Sequence, residues 1–267
     1  MLWDTHMHTH FSVDSEADSL EMIHASIRAG VDGICFTDHL DLLSLDSETD
    51  SLPLDLPAYF AELNGLKTQF QDTFPIQIGV EVGLQPFLQE RLPEIVAGYP
   101  FDFVIGSSHM VNGEDPYYPE YFMGKIEDEA YREYFESILE NLSLFDCFDV
   151  YGHLDYIVRY GPNKNQYYTY EKFADVLEEI LRTLIQKGKG IELNTGGFKY
   201  GLGHPNPTEA ILKRYRALGG EIITIGADAH TPMHTAYDFG KVPGILARCG
   251  FQYYTVFQQR KPRFYKL

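Results

Sequence analysis

The chain has 267 residues, 44% of them hydrophobic, and a formal net charge of −18 from 39 acidic against 21 basic residues. This is the composition of an ordinary globular protein long enough for one large core or two small ones, and an acidic chain whose one basic run is "RKPRFYK" at 260–266 disfavours large nucleic-acid substrates. No apolar run approaches the ~20 residues of a membrane span, the start "MLWDTHMH" lacks the basic and apolar segments of a secretory signal, and the scattered Cys35, Cys147 and Cys249 without a CxxC motif fit a reducing cytoplasm.

The first strand candidate, 2–6, runs into "DTHMHTH" at 4–10. His6, His8 and His10 alternate there, and in an extended chain all three face one side. A helix over 19–29 opens on Asp18 or Ser19 as a cap and closes at Gly30. The strand 33–37 carries Cys35 as a small buried hydrophobe and leads into Asp38 and His39. The long acidic stretch 41–56 reads as a surface flap or a solvated loop. Pro57 starts a helix over 57–73. The strand 76–81 ends on Glu81, and a helix over 87–97 is interrupted by Pro93. The strand 103–107 leads to His109, and a long charged helix spans 125–144. The strand 149–153 ends in "YGHLD", which supplies His153 and Asp155. A helix over 170–187 stops at Gly188, and the strand 190–194 carries Glu192 and Asn194. A helix over 207–218 stops at Gly219, and the strand 221–226 leads to Asp228 and His230. A last helix over 236–248 and a final strand over 251–257 complete the order.

Seven repeats of strand then helix, with no Gly-, Ser- or Pro-rich linker, predict one parallel, barrel-like α/β domain over 1–267. Barrel sites lie at the C-terminal ends of the strands. One histidine beside a strand is more often a packed structural residue than a ligand. Here all seven candidate strands end in His, Asp, Glu or Asn. These are more donors than one tetrahedral ion takes, so a cluster of two or three divalent ions is the economical reading, with Zn, Fe or Mn matched to imidazole and carboxylate. His24 reads as a helix-face residue, His204 as a loop residue near the mouth, and His234 as a weaker candidate beside substrate. The 19 Tyr and 18 Phe read mostly as core and helix packing.

The ordered set "DTHMH", "TDH", "GVEVG", "SSHM", "YGHLD" and "GADAH" resembles the polymerase and histidinol phosphatase (PHP) superfamily, from Asp4 to His230. That resemblance implies a distorted (β/α)7 barrel with a trinuclear metal centre at its C-terminal rim. Size and spacing look most like the histidinol phosphate phosphatases, metal-dependent phosphomonoester hydrolases of histidine biosynthesis. Carried over by motif, the implied ligands are His6, His8, Asp14, His39, Glu81, His109, His153, Asp228 and His230. His6, His8, Glu81 and Asp228 would hold a first ion. Glu81 would bridge to a second, completed by His109 and His153, and Asp14, His39 and His230 would hold a third. Two departures stand out. Many members carry histidine where this chain has Asp14, which shifts preference toward Mn or Fe over Zn. Where histidinol phosphatases often show an arginine, "NTGGFKYG" offers Lys199.

The expected chemistry is attack on phosphorus by a metal-bridging hydroxide, with Arg159 and Lys199 holding the phosphoryl oxygens. The proton for the leaving alkoxide is expected from Asp155, His10 or water beside His230. Asp41 and His10 are expected at an acidic mouth that receives the cationic part of a small phosphomonoester. No nucleic-acid or membrane partner is expected. Two alternatives share the same metals: a phosphodiesterase acting on a small nucleotide or cyclic diester, and a non-catalytic metal-binding module. The module should lack parts of the ligand set, whereas every expected position is filled here.

Overall fold

The computed structural model describes residues 2–43 and 53–267. Local sequence sets its elements. Helix α1 (Ser19–Ala29) starts where the Asp18 carboxylate accepts the Glu21 N–H, and ends at Gly30, whose φ of 76° takes the left-handed turn that glycine permits. Asp55 caps α2 (Leu56–Gln69) in the same way through the Ala58 N–H. Strands β2 (Gly33–Phe36), β4 (Ile76–Gly83), β5 (Phe103–Ser107), β7 (Gly190–Asn194) and β8 (Ile223–Gly226) are buried at every residue. That is the signature of parallel strands covered on both faces.

With the short β1 (Trp3–Asp4) and β6 (Val150–Tyr151), the strands pair in parallel in the order β1-β2-β4-β5-β6-β7-β8, and the two-residue β3 (His39–Leu40) also pairs with β4. The ring is drawn shut between β8 and the segment after β1. The Thr5 N–H donates to the Ile225 carbonyl (2.9 Å), the Asp228 N–H to that of His6 (2.8 Å) and the His8 N–H to that of Ala229 (2.9 Å). Helices α3 (Arg91–Ala97), α4 (Glu127–Leu144), α5 (Ala174–Gln186), α7 (Glu209–Ala217) and α8 (Val242–Arg248) cover the outside, with the four-residue α6 (Gly196–Lys199) at the end of β7. The result is a distorted (β/α)7 barrel. Among the described residues, no helix is long and apolar enough to cross a membrane.

Several expected boundaries move, each for a local reason. The expected helix over 236–248 starts only at Val242, because Ala236 and Asp238 take left-handed φ values of 51° and 58° that a right-handed helix cannot contain. The run 87–97 divides into a 3₁₀ turn, Pro86–Leu88, and α3. The basic run at 260–266 is not a loose tail. It forms β10 (Lys261–Lys266), antiparallel to β9 (Tyr253–Gln258). Its turn is anchored where the Arg260 guanidinium donates to Asp149 (2.6 Å) and the Gln259 N–H to Asp102 (3.1 Å). Phe257 thereby packs with Cys35, Phe103, Ile105 and Val150 in a small separate core, where Cys35 is the buried hydrophobe its sequence context suggests. Most of the acidic stretch 41–56 lies outside the described residues.

Candidate metal centre

Glu81, at the end of β4 and fully buried, is the hub. Its Oε1 accepts the Ser107 hydroxyl (2.6 Å) and faces His153 Nε2 (2.9 Å) and His109 Nε2 (3.3 Å). Its Oε2 faces His6 Nε2 and His39 Nδ1, both at 3.1 Å, and His8 Nε2 at 3.6 Å. One carboxylate thus spans two groups of imidazoles. Asp228 Oδ1 lies 3.4 Å from His8 Nε2 and 3.7 Å from His6 Nε2. Further out, Asp14 Oδ2 lies 3.0 Å from His230 Nε2 and 3.6 Å from His39 Nε2. The rings of His39 and His230 each lie 4.1 Å from that of His8.

The charge states follow from this crowding. Burial works against the Glu81 carboxylate, but His6, His109 and His39 hold it well below the usual range. Asp228 is held low against the same penalty by His6 and Arg159. Burial likewise disfavours a charged His109, yet the carboxylates of Asp41, 2.9 Å from its Nδ1, and Glu81 push it up to about 10.

The donors fit divalent metal. The Nε2 atoms of His6 and His8 face each other at 3.1 Å, an arrangement of lone pairs that a cation between them would satisfy. Metal–ligand bonds of ~2.0–2.1 Å place the ligand atoms of a tetrahedral ion roughly 3.3 Å apart, close to the 3.1–3.7 Å separations at Glu81 and Asp228. Donor atoms of His6, His8 and Glu81, of Glu81, His109 and His153, and of His8, His39 and His230 form three groups, linked through Glu81 and His8, whose members all lie within 4.8 Å of one another. Imidazole with carboxylate suits Zn, Mn or Fe.

A cavity of about 720 Å³ opens onto these donors. Lys199 and Arg159 line it beside Asp228, and Tyr117, Tyr118, Tyr156, Tyr160 and Tyr200 form much of its wall, with Asp41 and Asp115. Arg159 is nearly buried, with its guanidinium 4.9 Å from the centre of the Tyr200 ring and 5.4 Å from that of Tyr156. Lys199 donates to the Asp228 carbonyl (3.2 Å), and burial together with Arg159 lowers its pKa.

Residues 4–196 match the PHP domain family. The chain belongs to that family. It is 33% identical to a histidinol-phosphatase of Lactococcus lactis, over 97% of this chain and 95% of the relative. It is 25% identical to a histidinol-phosphatase of Bacillus subtilis, over 73% of this chain and 81% of the relative. A crystal structure of the Lactococcus lactis histidinol phosphate phosphatase, complexed with Zn, L-histidinol and phosphate, matches with a TM-score of 0.89 and 32% identity over 98% of each chain. A chain from Listeria monocytogenes, 20% identical over 90% of this chain and 99% of that one, shares the fold with a TM-score of 0.76.

Among the PHP motifs, the structure brings His6, His8, Asp14, His39, Glu81, His109, His153, Asp228 and His230 to one rim, with Arg159, Lys199 and Asp41 on the same cavity. Two expected residues stand elsewhere. Asp155 is fully buried behind the cavity wall, with Oδ1 accepting the Asn206 amide (2.6 Å) and Oδ2 the Thr208 N–H (3.0 Å). It does not line the cavity that would receive a leaving group. His10 has turned out of the barrel, 3.6 Å from Glu62 and against Phe11, because the extended chain that continues past β1 through His8 gives way to a turn at His10. His24 is an exposed residue on α1. The His204 ring lies against the Pro205 carbonyl (2.7 Å), outside the cavity lining, whereas His234 lines the cavity.

Three features take their specific role only from the structure. Glu192 Oε1 accepts from His6 Nδ1 (2.7 Å) and its Oε2 accepts the His153 backbone N–H (2.9 Å), so one buried carboxylate orients the ring of one candidate ligand and anchors the backbone of another. Its place at a strand end was the available signal. Asn206 braces Arg159 (2.8 Å) from a loop with no motif. The five cavity tyrosines read as packing residues in the sequence, because their spacing carries no periodicity that separates a wall from a core.

Proposed function

We propose that this protein is a metal-dependent histidinol-phosphatase, hydrolysing L-histidinol phosphate to L-histidinol and phosphate. The observation that carries the reading is the cavity itself. Six metal-type side chains (Asp14, His39, His109, His153, Asp228 and His230) and two cations line it, with the buried His6, His8 and Glu81 directly beneath, and tyrosines with two further carboxylates form its walls. Divalent ions in such a site lower the pKa of bound water to about 7 and offset the charge of a phosphoryl group.

The chain's own residues divide the remaining work. Arg159 spends one N–H on each of Asn206, Asp228 and Asn194, which leaves two of a guanidinium's five donors for phosphoryl oxygens. Lys199 adds a point charge on the same side. Both cations are fixed before substrate arrives, so they cost little reorganisation as charge develops on the phosphoryl group. Tyrosine faces attract cationic and heteroaromatic groups, and Asp41 and Asp115 favour an ammonium. An imidazole-bearing amino alcohol fits that end of the cavity, and it is the leaving group of L-histidinol phosphate. The near full-length likeness to the Lactococcus lactis enzyme supports this choice among phosphomonoesters. The net charge of −18 disfavours polymeric nucleic acid.

The test is a screen of small phosphomonoesters and a phosphodiester, with Zn, Mn, Fe and Co supplied separately to metal-depleted protein. Histidinol phosphate should exceed the other monoesters in kcat/KM by about 100-fold. Equal or faster turnover of the diester or of an unrelated monoester would reject the assignment.

A further inference from the structure

Arg159 is held from behind by a buried polar chain outside the metal rim. Its Nε donates to Asn206 Oδ1 at 2.8 Å. Asn206 is fully buried, and its backbone is locked to the end of β7 by two reciprocal 2.8 Å hydrogen bonds with Asn194. Its side-chain amide could point either way, and only one orientation serves Arg159. Its two partners decide it. The Asn206 Nδ2 donates to Asp155 Oδ1 at 2.6 Å, and Asp155 Oδ2 is fixed by the Thr208 N–H at 3.0 Å. The Arg159 Nε–H can only donate, so the amide oxygen faces it, and Asp155 accepts from the NH₂ on the other side, so both partners select the same orientation. In the reverse orientation, oxygen would face carboxylate and NH₂ would face N–H. The packing leaves no slack. A Cβ on Gly197 would press on Asn206 Oδ1 (3.0 Å) and one on Gly196 on Arg159 Nη2 (3.1 Å).

We propose that Asn206, braced by Asp155, is a positioning residue that fixes the Arg159 fork so that its two remaining N–H donors point at the phosphoryl group. Neither Asn206 nor Asp155 touches substrate. This rests on reading Arg159 as the phosphate-holding group. It assigns Asp155, buried and fully hydrogen-bonded, to orientation rather than to proton transfer.

The test is a double-mutant cycle of Asn206→Ala with Arg159→Met on the metal-loaded protein. It is read in three ways: kcat/KM on histidinol phosphate, binding of inorganic phosphate by calorimetry, and bound metal with melting temperature. Asn206→Ala should lower kcat/KM and weaken phosphate binding by roughly 30-fold, the scale of one hydrogen bond to a charged group, with metal content unchanged. In the Arg159→Met background the same change should cost less than about 3-fold, because the group it positions is gone. Losses that multiply in the double variant, or a single variant at wild-type values, overturn the proposal. If Asn206→Ala does not fold, Asp155→Asn replaces it. That isosteric change should lower kcat/KM and phosphate affinity about 10-fold in the wild-type background and not in Arg159→Met, and equal effects in both reject the proposal. Wild-type protein that binds phosphate but leaves histidinol phosphate intact would refute the substrate assignment and leave the phosphate-binding cycle to decide the positioning.

Discussion

Glu192→Gln isolates the contribution of a residue that contacts no substrate in the cavity lining. Burial opposes the charge of this carboxylate, but His6 holds it below the usual range. One oxygen accepts from His6 Nδ1 at 2.7 Å, and the other accepts the His153 N–H at 2.9 Å and Asn194 Nδ2 at 3.0 Å. The bond at Nδ1 keeps a proton there, so Nε2, which faces Glu81 and His8, is the nitrogen available to a metal. Glutamine has the same shape but one oxygen and one NH₂. In either orientation it leaves a buried donor facing a donor, at a cost of about 1–3 kcal/mol. If the His6 proton moves to Nε2 instead, that nitrogen is lost as a ligand. At about 1.4 kcal/mol per decade, metal affinity should fall roughly 10- to 100-fold. The assay is competition for Zn against a chromophoric chelator, starting from metal-depleted protein, with metal content measured after dialysis. An affinity within 3-fold of wild type, with an unchanged melting temperature, would refute the argument that Glu192 orients His6.

Arg159→Lys keeps the charge but cannot reach Asn206, Asp228 and Asn194 together; kcat/KM on a phosphomonoester should drop about 100-fold in steady-state assays. Bound metal should fall modestly as well, because the guanidinium braces Asp228 at 2.8 Å. Removing metal with a chelator should lower the melting temperature by several degrees, and Zn, Mn or Fe should restore it, since a ligand at 100 times its Kd adds about 2.7 kcal/mol. In the metal-free protein, His109 is raised to about 10 by Asp41 and Glu81 against the burial penalty. Its contribution to stability is therefore full below about pH 6.5 and lost as pH rises through about 10. Metal affinity should rise with pH over that window, because the metal displaces this proton; titrations at pH 6 and pH 8 that agree would count against it. Gly226→Ala would drive a Cβ into the Glu192 carboxylate and the His6 side chain, so urea denaturation should show a loss of about 1–3 kcal/mol together with weakened metal binding.

The sequence by itself determined the barrel and the identity of the rim. Strand and helix periods are local, and in a parallel barrel every strand end reaches the same face, so residues at strand ends could be grouped before any contact was known. His6, His39, Glu81, His109, His153, Asp228 and His230 were legible for that reason. What needed the tertiary structure were the relations between those ends. That Glu81 spans two groups of imidazoles, that Glu192 orients His6 from 186 residues away, and that Arg159 is braced by Asn206 depend on angstrom-scale separations between distant segments. Side-chain direction was also beyond reach where regular structure stops. Asp155 and His10 each lie in irregular chain beyond a strand, where the two-residue alternation no longer dictates facing. There the chain turned Asp155 toward Asn206 and His10 toward Glu62, because a buried carboxylate needs donors on both oxygens and a half-exposed imidazole does not.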